Sequence, residues 1–264
     1  MTECEPSEGP ETMGTIRVGA VNYLNAKPLI EGLTRFAPNI DLTLDLPSRL
    51  ADRLAAGALD VGLIPVAEYF RGVNYSCLPN IAITSRGPVL SVTLFSKRPW
   101  AEIRSVALDE GSRSSAALTR ILLSRRHGVH PRFQQLPIDA PADGTDADAV
   151  LLIGDRAMHA CLPGYRHAYD LGQEWTEWTG LPMVYAVWAV RPGVHLGDTE
   201  HAFHLAKDYG VTHAAEIAER EAPLLDLDPG FCRRYLDTLI RYDLGPSERA
   251  GMDRFRELVR ELGS

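Results

Sequence analysis

Short apolar segments alternate with amphipathic ones along most of the chain, a pattern typical of alternating strands and helices. Strand patterns lie at residues 16–21, 40–46 and 60–65, and helix patterns at 28–36 and from Ser48 onward separate them. The Ser48 hydroxyl is predicted to cap the second of these helices. The first third of the chain therefore predicts a βαβαβ unit with parallel strands and right-handed crossovers.

A second unit of the same kind is predicted after residue 105. Strand patterns at 106–109, 131–136 and 149–155 alternate with helix patterns at 114–126 and from Arg156. Three further helices are predicted after Gly197, and the polar stretch 143–148 is predicted to be a surface loop.

Two similar apolar runs, PVLSVTLFS at 88–96 and PMVYAVWAVRP at 182–192, lie on either side of the second unit. We expect the chain to pass between two lobes at these runs. Residues 15–96 and 187–264 would then form one discontinuous lobe, and residues 97–186 an inserted lobe. The pattern predicts an α/β fold with a cleft between the lobes.

Composition and charge limit the class of protein. The chain has 264 residues, of which 45% are hydrophobic and 23% charged, and its formal charge is −8. An acidic balance argues against a nucleic-acid partner. Residues 1–14 have neither a basic start nor an apolar run, and we predict a disordered tail there. No apolar run reaches the ~18 residues of a membrane span, so we expect a cytoplasmic protein without a membrane partner.

Cysteine and histidine spacing predicts no metal site. The four cysteines are far apart and fit neither a disulfide framework nor a zinc pattern, so Cys77, Cys161 and Cys232 are interpreted as core residues. The pairs His127/His130 and His201/His204 lack a nearby acid or cysteine and are interpreted as surface residues. Of Trp175 and Trp178, at least one is predicted to lie in the core.

Four polar segments follow predicted strands, where open α/β sheets bind ligands. Their candidate residues are Tyr23, Asn25 and Lys27; Ser85, Arg86 and Gly87; Ser112, Ser114 and Ser115; and Asp155. An arginine fork suits a carboxylate, and hydroxyls at a helix start suit an anion. Turns and caps explain any one segment, and Asp155 alone is best interpreted as a helix cap and Arg113 as a solvated charge. Four converging segments favour a site for a small polar ligand.

The chain contains no glycine-rich dinucleotide motif, no Walker lysine and no serine-hydrolase elbow. The segments VGAVNYLNAKPL, TSRGPVLSVTLFS, LDEGSRSSAALTRILL, LLIGD, YDLGQEWTEWTGLPMVYAVW and YDLGPSE instead resemble those of the chorismate dehydratases in the futalosine pathway of menaquinone biosynthesis. The resemblance extends from about Ile16 over nearly the whole chain.

This resemblance implies a two-lobed fold like the type II periplasmic binding proteins and the conversion of chorismate to 3-(1-carboxyvinyloxy)benzoate without a metal or organic cofactor. Asn25 would be the catalytic residue. Substrate binding would fall to Tyr23, Ser48, Ser85, Arg86, Gly87, Ser112, Ser114, Ser115 and Asp155. The oligomeric state is left open.

Two alternatives stay open. The sister enzyme, 1,4-dihydroxy-6-naphthoate synthase, shares the fold but differs in its first motif, and a non-enzymatic carboxylate-binding protein would have the same architecture. For the elimination itself, we expect the enolpyruvyl carboxylate of chorismate to take the proton while Asn25 orients it or the departing hydroxyl. The competing hypothesis is a protein carboxylate such as Asp109, Glu110 or Asp155 as the base.

Overall fold

The structure, a computed structural model, describes residues 14–262, so almost all of the predicted tail at 1–14 lies outside the described residues. Over this range the strands form one six-stranded and one five-stranded sheet. The strands are β1 (Ile16–Val21), β2 (Ile40–Asp45), β3 (Val61–Pro65), β4 (Ser76–Ser85), β5 (Val92–Ser96), β6 (Ser105–Asp109), β7 (Arg132–Leu136), β8 (Ala149–Ile153), β9 (His167–Asp170), β10 (Met183–Val190) and β11 (Ile240–Arg241).

The helices surround these sheets and belong to both lobes. They are α1 (Lys27–Ile30), α2 (Leu33–Phe36), α3 (Pro47–Ala55), α4 (Val66–Arg71), α5 (Arg113–Ile121), α6 (Gly154–Met158), α7 (Leu171–Thr179), α8 (Thr199–Thr212), α9 (Ala214–Glu221), α10 (Pro229–Arg234) and α11 (Pro246–Leu262).

The first lobe is built on the six-stranded sheet, in the order β11-β4-β10-β3-β1-β2. Strand β1 pairs in parallel with β2 and β3, which confirms the parallel βαβαβ arrangement predicted from the sequence. Strand β10 pairs antiparallel with β3 and β4 and returns the chain to this sheet. Every residue of β3 is buried, as expected for a central strand covered on both faces.

Two predicted helices differ in detail from those observed. The helix predicted at 28–36 is divided into α1 and α2 because Gly32 between them adopts a left-handed backbone with φ of 73°. Ser48 does not cap α3. Pro47 occupies the first helical position, which proline favours, and the cap position falls on Leu46.

The second lobe is built on the five-stranded sheet, in the order β7-β6-β8-β5-β9. Strand β5 pairs antiparallel with β8 and β9, so residues 92–96 belong to this sheet although the sequence pattern groups them with the first lobe. Strand β10 begins at Met183 and lies wholly in the first sheet, so residues 183–186, which were predicted to belong to the inserted lobe, are part of the first lobe. By sheet membership the first crossing falls within residues 86–91, earlier than the predicted boundary at 96/97.

One carboxylate holds both connections between the sheets. Asp170, at the end of β9, accepts hydrogen bonds from the Val89 and Leu90 amides of the first crossing at 2.9 and 2.7 Å. The same side chain caps α7, where the amides of Gly172 and Gln173 donate to it at 2.9 and 3.0 Å. The two crossings are therefore bound to each other at one point.

Most of the residues that were predicted to lie in the core are buried or partly buried. Trp175 and Cys232 are fully buried, while Trp178 and Cys77 are partly buried. Cys161 is exposed, so its interpretation as a core residue is wrong; it lies in the irregular segment after α6 rather than under a sheet. Between residues 14 and 262, no helix is both long and apolar enough to cross a membrane.

Candidate functional site

A cavity lies between the two lobes and encloses roughly 500 Å³ of space, counting its open side. Both lobes contribute to its walls. The lining residues are Val21, Tyr23, Asn25, Pro47, Pro65, Ile83, Val89, Ser91, Val92, Ser112, Ser115, Ile153, Gly154, Tyr185 and Ala186. Polar groups in a mostly apolar wall can orient a ligand while its other atoms are buried.

Asn25 brings an unpaired acceptor to this cavity. It lies in a 3₁₀ turn, Leu24–Ala26, directly beyond β1. Its Oδ1 atom is buried, and no hydrogen-bond partner for it is found among the described residues. Leaving a buried polar atom unpaired costs about 1–3 kcal/mol. A ligand donor that reached Oδ1 would remove this penalty.

Tyr23 contributes a hydroxyl donor beside Asn25. Its ring lies against Gly154, where an added Cβ would come within 3.1 Å of three ring atoms. Burial, followed by the negative charge of Asp109, raises the pKa of the Tyr23 phenol. The hydroxyl therefore stays protonated at neutral pH and can donate a hydrogen bond.

Ser112 and Ser115 form the opposite, anion-favouring side. Ser112 is the N-cap of α5: its Oγ accepts from the Ser115 amide at 3.2 Å and donates to the Ser115 Oγ at 2.9 Å. The positive end of the α5 dipole adds to these hydroxyls. Both residues line the cavity as predicted.

Ser114 points elsewhere. Its Oγ accepts a hydrogen bond from the Ala67 amide at 3.0 Å, at the start of α4 in the first lobe. The neighbouring Arg113 also crosses between lobes, because its guanidinium reaches Asp52 at 2.8 Å and Glu68 at 3.0 Å. Its interpretation as a solvated charge is therefore wrong. Ser114 and Arg113 connect the lobes instead of lining the cavity.

The second polar segment, residues 85–87, reaches the cavity only through Tyr185. Ser85 is buried and shares a 2.9 Å hydrogen bond with the hydroxyl of Tyr185, a lining residue. The Gly87 amide donates to the Thr176 hydroxyl at 2.9 Å. Arg86 is exposed and outside the lining, because it projects from the turn that follows β4 toward solvent. The structure thus contradicts the prediction that Arg86 faces the cleft.

Lys27 and Ser48 also lie outside the cavity. Lys27 pairs with Glu221 at 3.1 Å and donates to the Asn22 side chain at 2.9 Å. Ser48 lines a neighbouring cavity that it shares with Arg49 and Ser112. Because Ser112 lines both cavities, the cavity that contains Ser48 adjoins the one that contains Asn25.

The acids near the cavity each accept a hydrogen bond from a backbone amide. Asp109 is buried, and its Oδ1 accepts from the Gly111 amide at 2.8 Å; burial raises its pKa. Its Oδ2 lies 3.6 Å from Arg156 and has no hydrogen-bond partner among the described residues. The Glu110 carboxylate accepts from the Ile138 amide at 2.9 Å. Neither carboxylate lines the first cavity, but both line the neighbouring one.

Asp155 is not the cap of its own helix. The cap position of α6 is Ile153, and Asp155 lies in the first turn. Its Oδ1 instead accepts from the Leu24 amide in the other lobe at 3.1 Å. Burial raises the pKa of Asp155, whereas that hydrogen bond and the charge of Lys27 act in the opposite direction.

Three lining or supporting residues were missed from the sequence: Ser91, Tyr185 and Tyr235. Ser91 lies in the crossing and lines the cavity, and the Tyr235 hydroxyl donates to its Oγ at 2.7 Å. The Asn25 side chain also hydrogen-bonds Tyr235. Ser91 stands within the quoted motif TSRGPVLSVTLFS, which was the available signal, whereas nothing near Tyr235 in the chain indicated a site.

Across the described residues 14–262, no group of three or more histidine, cysteine or acidic side chains is arranged to hold a metal ion. The cavity offers hydroxyls and one amide as polar groups. Such a set suits a ligand with carboxylate and hydroxyl groups.

Comparison with known proteins agrees with this chemistry. Residues 16–261 match a family model described as menaquinone biosynthesis. A chorismate dehydratase of Thermus thermophilus is 32% identical over 269 residues, which cover 92% of this chain and 94% of that protein. A chorismate dehydratase of Campylobacter jejuni is 26% identical over 251 residues, covering 92% of this chain and 97% of that protein.

Solved structures show the same fold. A protein of Archaeoglobus fulgidus has a TM-score of 0.76 at 17% identity, and the match covers 94% of this chain and 97% of that protein. The alkanesulfonate-binding protein of Xanthomonas axonopodis, bound to MOPS, has a TM-score of 0.66 at 14% identity, with coverage of 94% and 91%. The two-lobed periplasmic-binding-protein-like fold predicted from the sequence is confirmed.

Proposed function

The chain belongs to the menaquinone-biosynthesis family, and we propose that it is a chorismate dehydratase, a hydro-lyase that converts chorismate to 3-(1-carboxyvinyloxy)benzoate. Two dehydratase relatives that match nearly their whole length support this activity. The cavity between the lobes supports a small-molecule substrate. A cytoplasmic location stays a prediction from the sequence.

The reaction requires few groups from the protein. The ring carboxylate of chorismate acidifies the hydrogen at C3. When that proton is transferred to the base, the electron pair of the C3–H bond forms the C3–C4 double bond and the C4–O bond breaks. The departing hydroxyl takes up the proton from the base and leaves as water. Because the product is aromatic, the step is strongly downhill. The site must supply or orient a base, stabilise the developing charge and keep out water.

One observation favours a base supplied by the substrate. The cavity lining contains no aspartate, glutamate, histidine or lysine. Asp109 and Asp155 lie outside this lining and accept hydrogen bonds from backbone amides, although Asp109 lines the neighbouring cavity. In our proposal the enolpyruvyl carboxylate of chorismate takes the C3 proton, and the protein holds that carboxylate in place.

We assign the polar residues on this basis. Asn25 is the catalytic residue, whose amide orients the enolpyruvyl carboxylate or the departing hydroxyl. Ser112 and Ser115, at the positive end of α5, bind a carboxylate. Tyr23 and Ser91 donate to the remaining oxygens. Ser85 acts through Tyr185, to which it is hydrogen-bonded.

The test is to incubate purified protein with chorismate and follow the product by liquid chromatography and mass spectrometry. We expect a new aromatic compound that is lighter than chorismate by one water. A reaction with Asn25→Ala protein controls for spontaneous conversion. Tight binding of chorismate without turnover would indicate the carboxylate-binding protein instead, and turnover only of the cyclic naphthoate precursor would indicate the sister enzyme.

A further inference from the structure

The turn that carries Asn25 receives a hydrogen bond from the opposite lobe. The first amide of the turn belongs to Leu24, and the residue before it, Tyr23, provides no side-chain cap. Amides at the start of such a turn lack partners within it. The Asp155 Oδ1 atom accepts from this amide at 3.1 Å, although the two residues are 131 positions apart.

A second contact lies directly beside the first. Gly154, with φ of 60°, places its backbone against the face of the Tyr23 ring. Consecutive residues of one lobe, Gly154 and Asp155, therefore contact consecutive residues of the other, Tyr23 and Leu24. Asn25 is the next residue in the chain, so its backbone is held by both contacts.

The Asp155 carboxylate is partly buried at this contact. Burial raises the pKa of Asp155, whereas the hydrogen bond from the Leu24 amide and the positive charge of Lys27 lower it. Asp155 is not among the residues that line the cavity. Its carboxylate is therefore placed to hold the turn and not to touch the substrate.

We propose that Asp155 is the positioning residue for Asn25, fixing the 3₁₀ turn through the Leu24 amide so that the Asn25 amide points into the cavity. This inference rests on the proposed dehydratase function, in which Asn25 is catalytic. It also explains why an acid so near the site is compatible with a base supplied by the substrate.

Two substitutions at Asp155 separate positioning from proton transfer. Asp155→Asn keeps an oxygen acceptor for the Leu24 amide but cannot act as a base. Asp155→Ala removes the acceptor altogether. We expect kcat for chorismate to fall about 100-fold in Asp155→Ala, as for other small misplacements of a reacting group. In Asp155→Asn, kcat should fall by roughly tenfold or less, because a neutral acceptor is weaker than a charged one.

The donor side offers a matched pair. Leu24→Pro deletes the amide hydrogen at the first position of the turn, where proline fits, and Leu24→Ala removes the same buried side chain but keeps the hydrogen. We expect Leu24→Pro to lower kcat well below Leu24→Ala. Asp143→Ala, at an exposed position in the second lobe, should match the wild type.

A readout without turnover completes the test. Hydrogen exchange of a peptide covering residues 21–27 should be faster in Asp155→Ala and near wild type in Asp155→Asn. If the wild type fails to dehydrate chorismate, the proposed function is wrong, and the exchange data still decide whether Asp155 holds the turn. Equal kcat and exchange in Asp155→Ala and wild type, or an Asp155→Asn enzyme as inactive as Asp155→Ala, would overturn the inference.

Discussion

The Tyr235 hydroxyl donates a 2.7 Å hydrogen bond to the Ser91 Oγ, and both residues are buried although 144 positions separate them. Tyr235 follows α10 in the last part of the chain, whereas Ser91 lies in the first crossing between the sheets. The Asn25 side chain bonds the same hydroxyl. One phenol thus joins the proposed catalytic residue to a residue of the cavity wall.

Replacing Tyr235 by phenylalanine should weaken both partners. The Ser91 hydroxyl and the Asn25 amide would each lose a buried hydrogen bond, at about 1–3 kcal/mol for a group left unpaired. We expect a lower melting temperature and a fall in kcat/KM, measured by calorimetry and steady-state kinetics. Tyr165→Phe is the control, because that hydroxyl makes only a 3.5 Å contact with the Ala142 carbonyl. Equal losses in both variants would contradict the prediction.

Asn25→Ala should separate activity from stability. Removing one well-placed polar group from a reaction site typically lowers kcat by ~10² to 10³. The free energy of unfolding should change by about 1 kcal/mol or less, because the lost bond to Tyr235 is offset by removal of the unpaired Oδ1. Urea titration and kinetics measure the two effects. A variant that turns over chorismate normally would remove Asn25 from the mechanism.

The base can be tested with an altered substrate. A chorismate analogue that lacks the enolpyruvyl carboxylate should bind more weakly and should not eliminate water even at saturation. Binding calorimetry and product detection distinguish these two effects. If the analogue reacts at the normal rate while Glu110→Gln or Asp109→Asn protein is inactive, the protein supplies the base.

The ion pairs of Asp60 should make the free energy of unfolding depend on pH. Arg17 binds it at 2.7 Å and Arg191 at 2.9 Å, and these bonds, led by the one from Arg17, hold the pKa of Asp60 well below its usual range. A lowered folded-state pKa stabilises the fold fully above the unfolded pKa of about 4, and this stabilisation is lost as the pH falls below it.

Asp60→Asn protein should therefore be less stable than wild type at neutral pH, and the difference should shrink as the pH falls below about 4. Urea unfolding at a series of pH values measures the difference, with the exposed Asp41→Asn as the control. A difference that stays constant with pH would show that the carboxylate charge does not contribute.

The parallel strands of the first lobe could be predicted because each is short and apolar and ends in polar residues, as β1 does before Tyr23. A strand was expected to end at Ser85, but the bounds of β4 were not predicted. This strand contains Pro79, and Asn80 has φ of 57°, so its sequence does not follow the two-residue period of a regular strand. Helix α7 was missed although Asp170 supplies a capping signal before it.

The residues of the candidate site also divide into those that could be predicted from the sequence and those that could not. Asn25, Ser112 and Ser115 could be predicted because each follows a strand or begins a helix. Arg86 was misplaced because sequence does not tell on which side of a turn a side chain projects. Tyr235 was missed because its role depends on contacts between distant parts of the chain, which local patterns do not record.

Four amides bound by Asp170 hold the two connections side by side. Sliding one connection along the other would break these hydrogen bonds, because all four amides share one carboxylate. Asp170 therefore contributes to the alignment of the two lobes, and with it to the alignment of Asn25 with the serines at the start of α5, without lining the cavity itself.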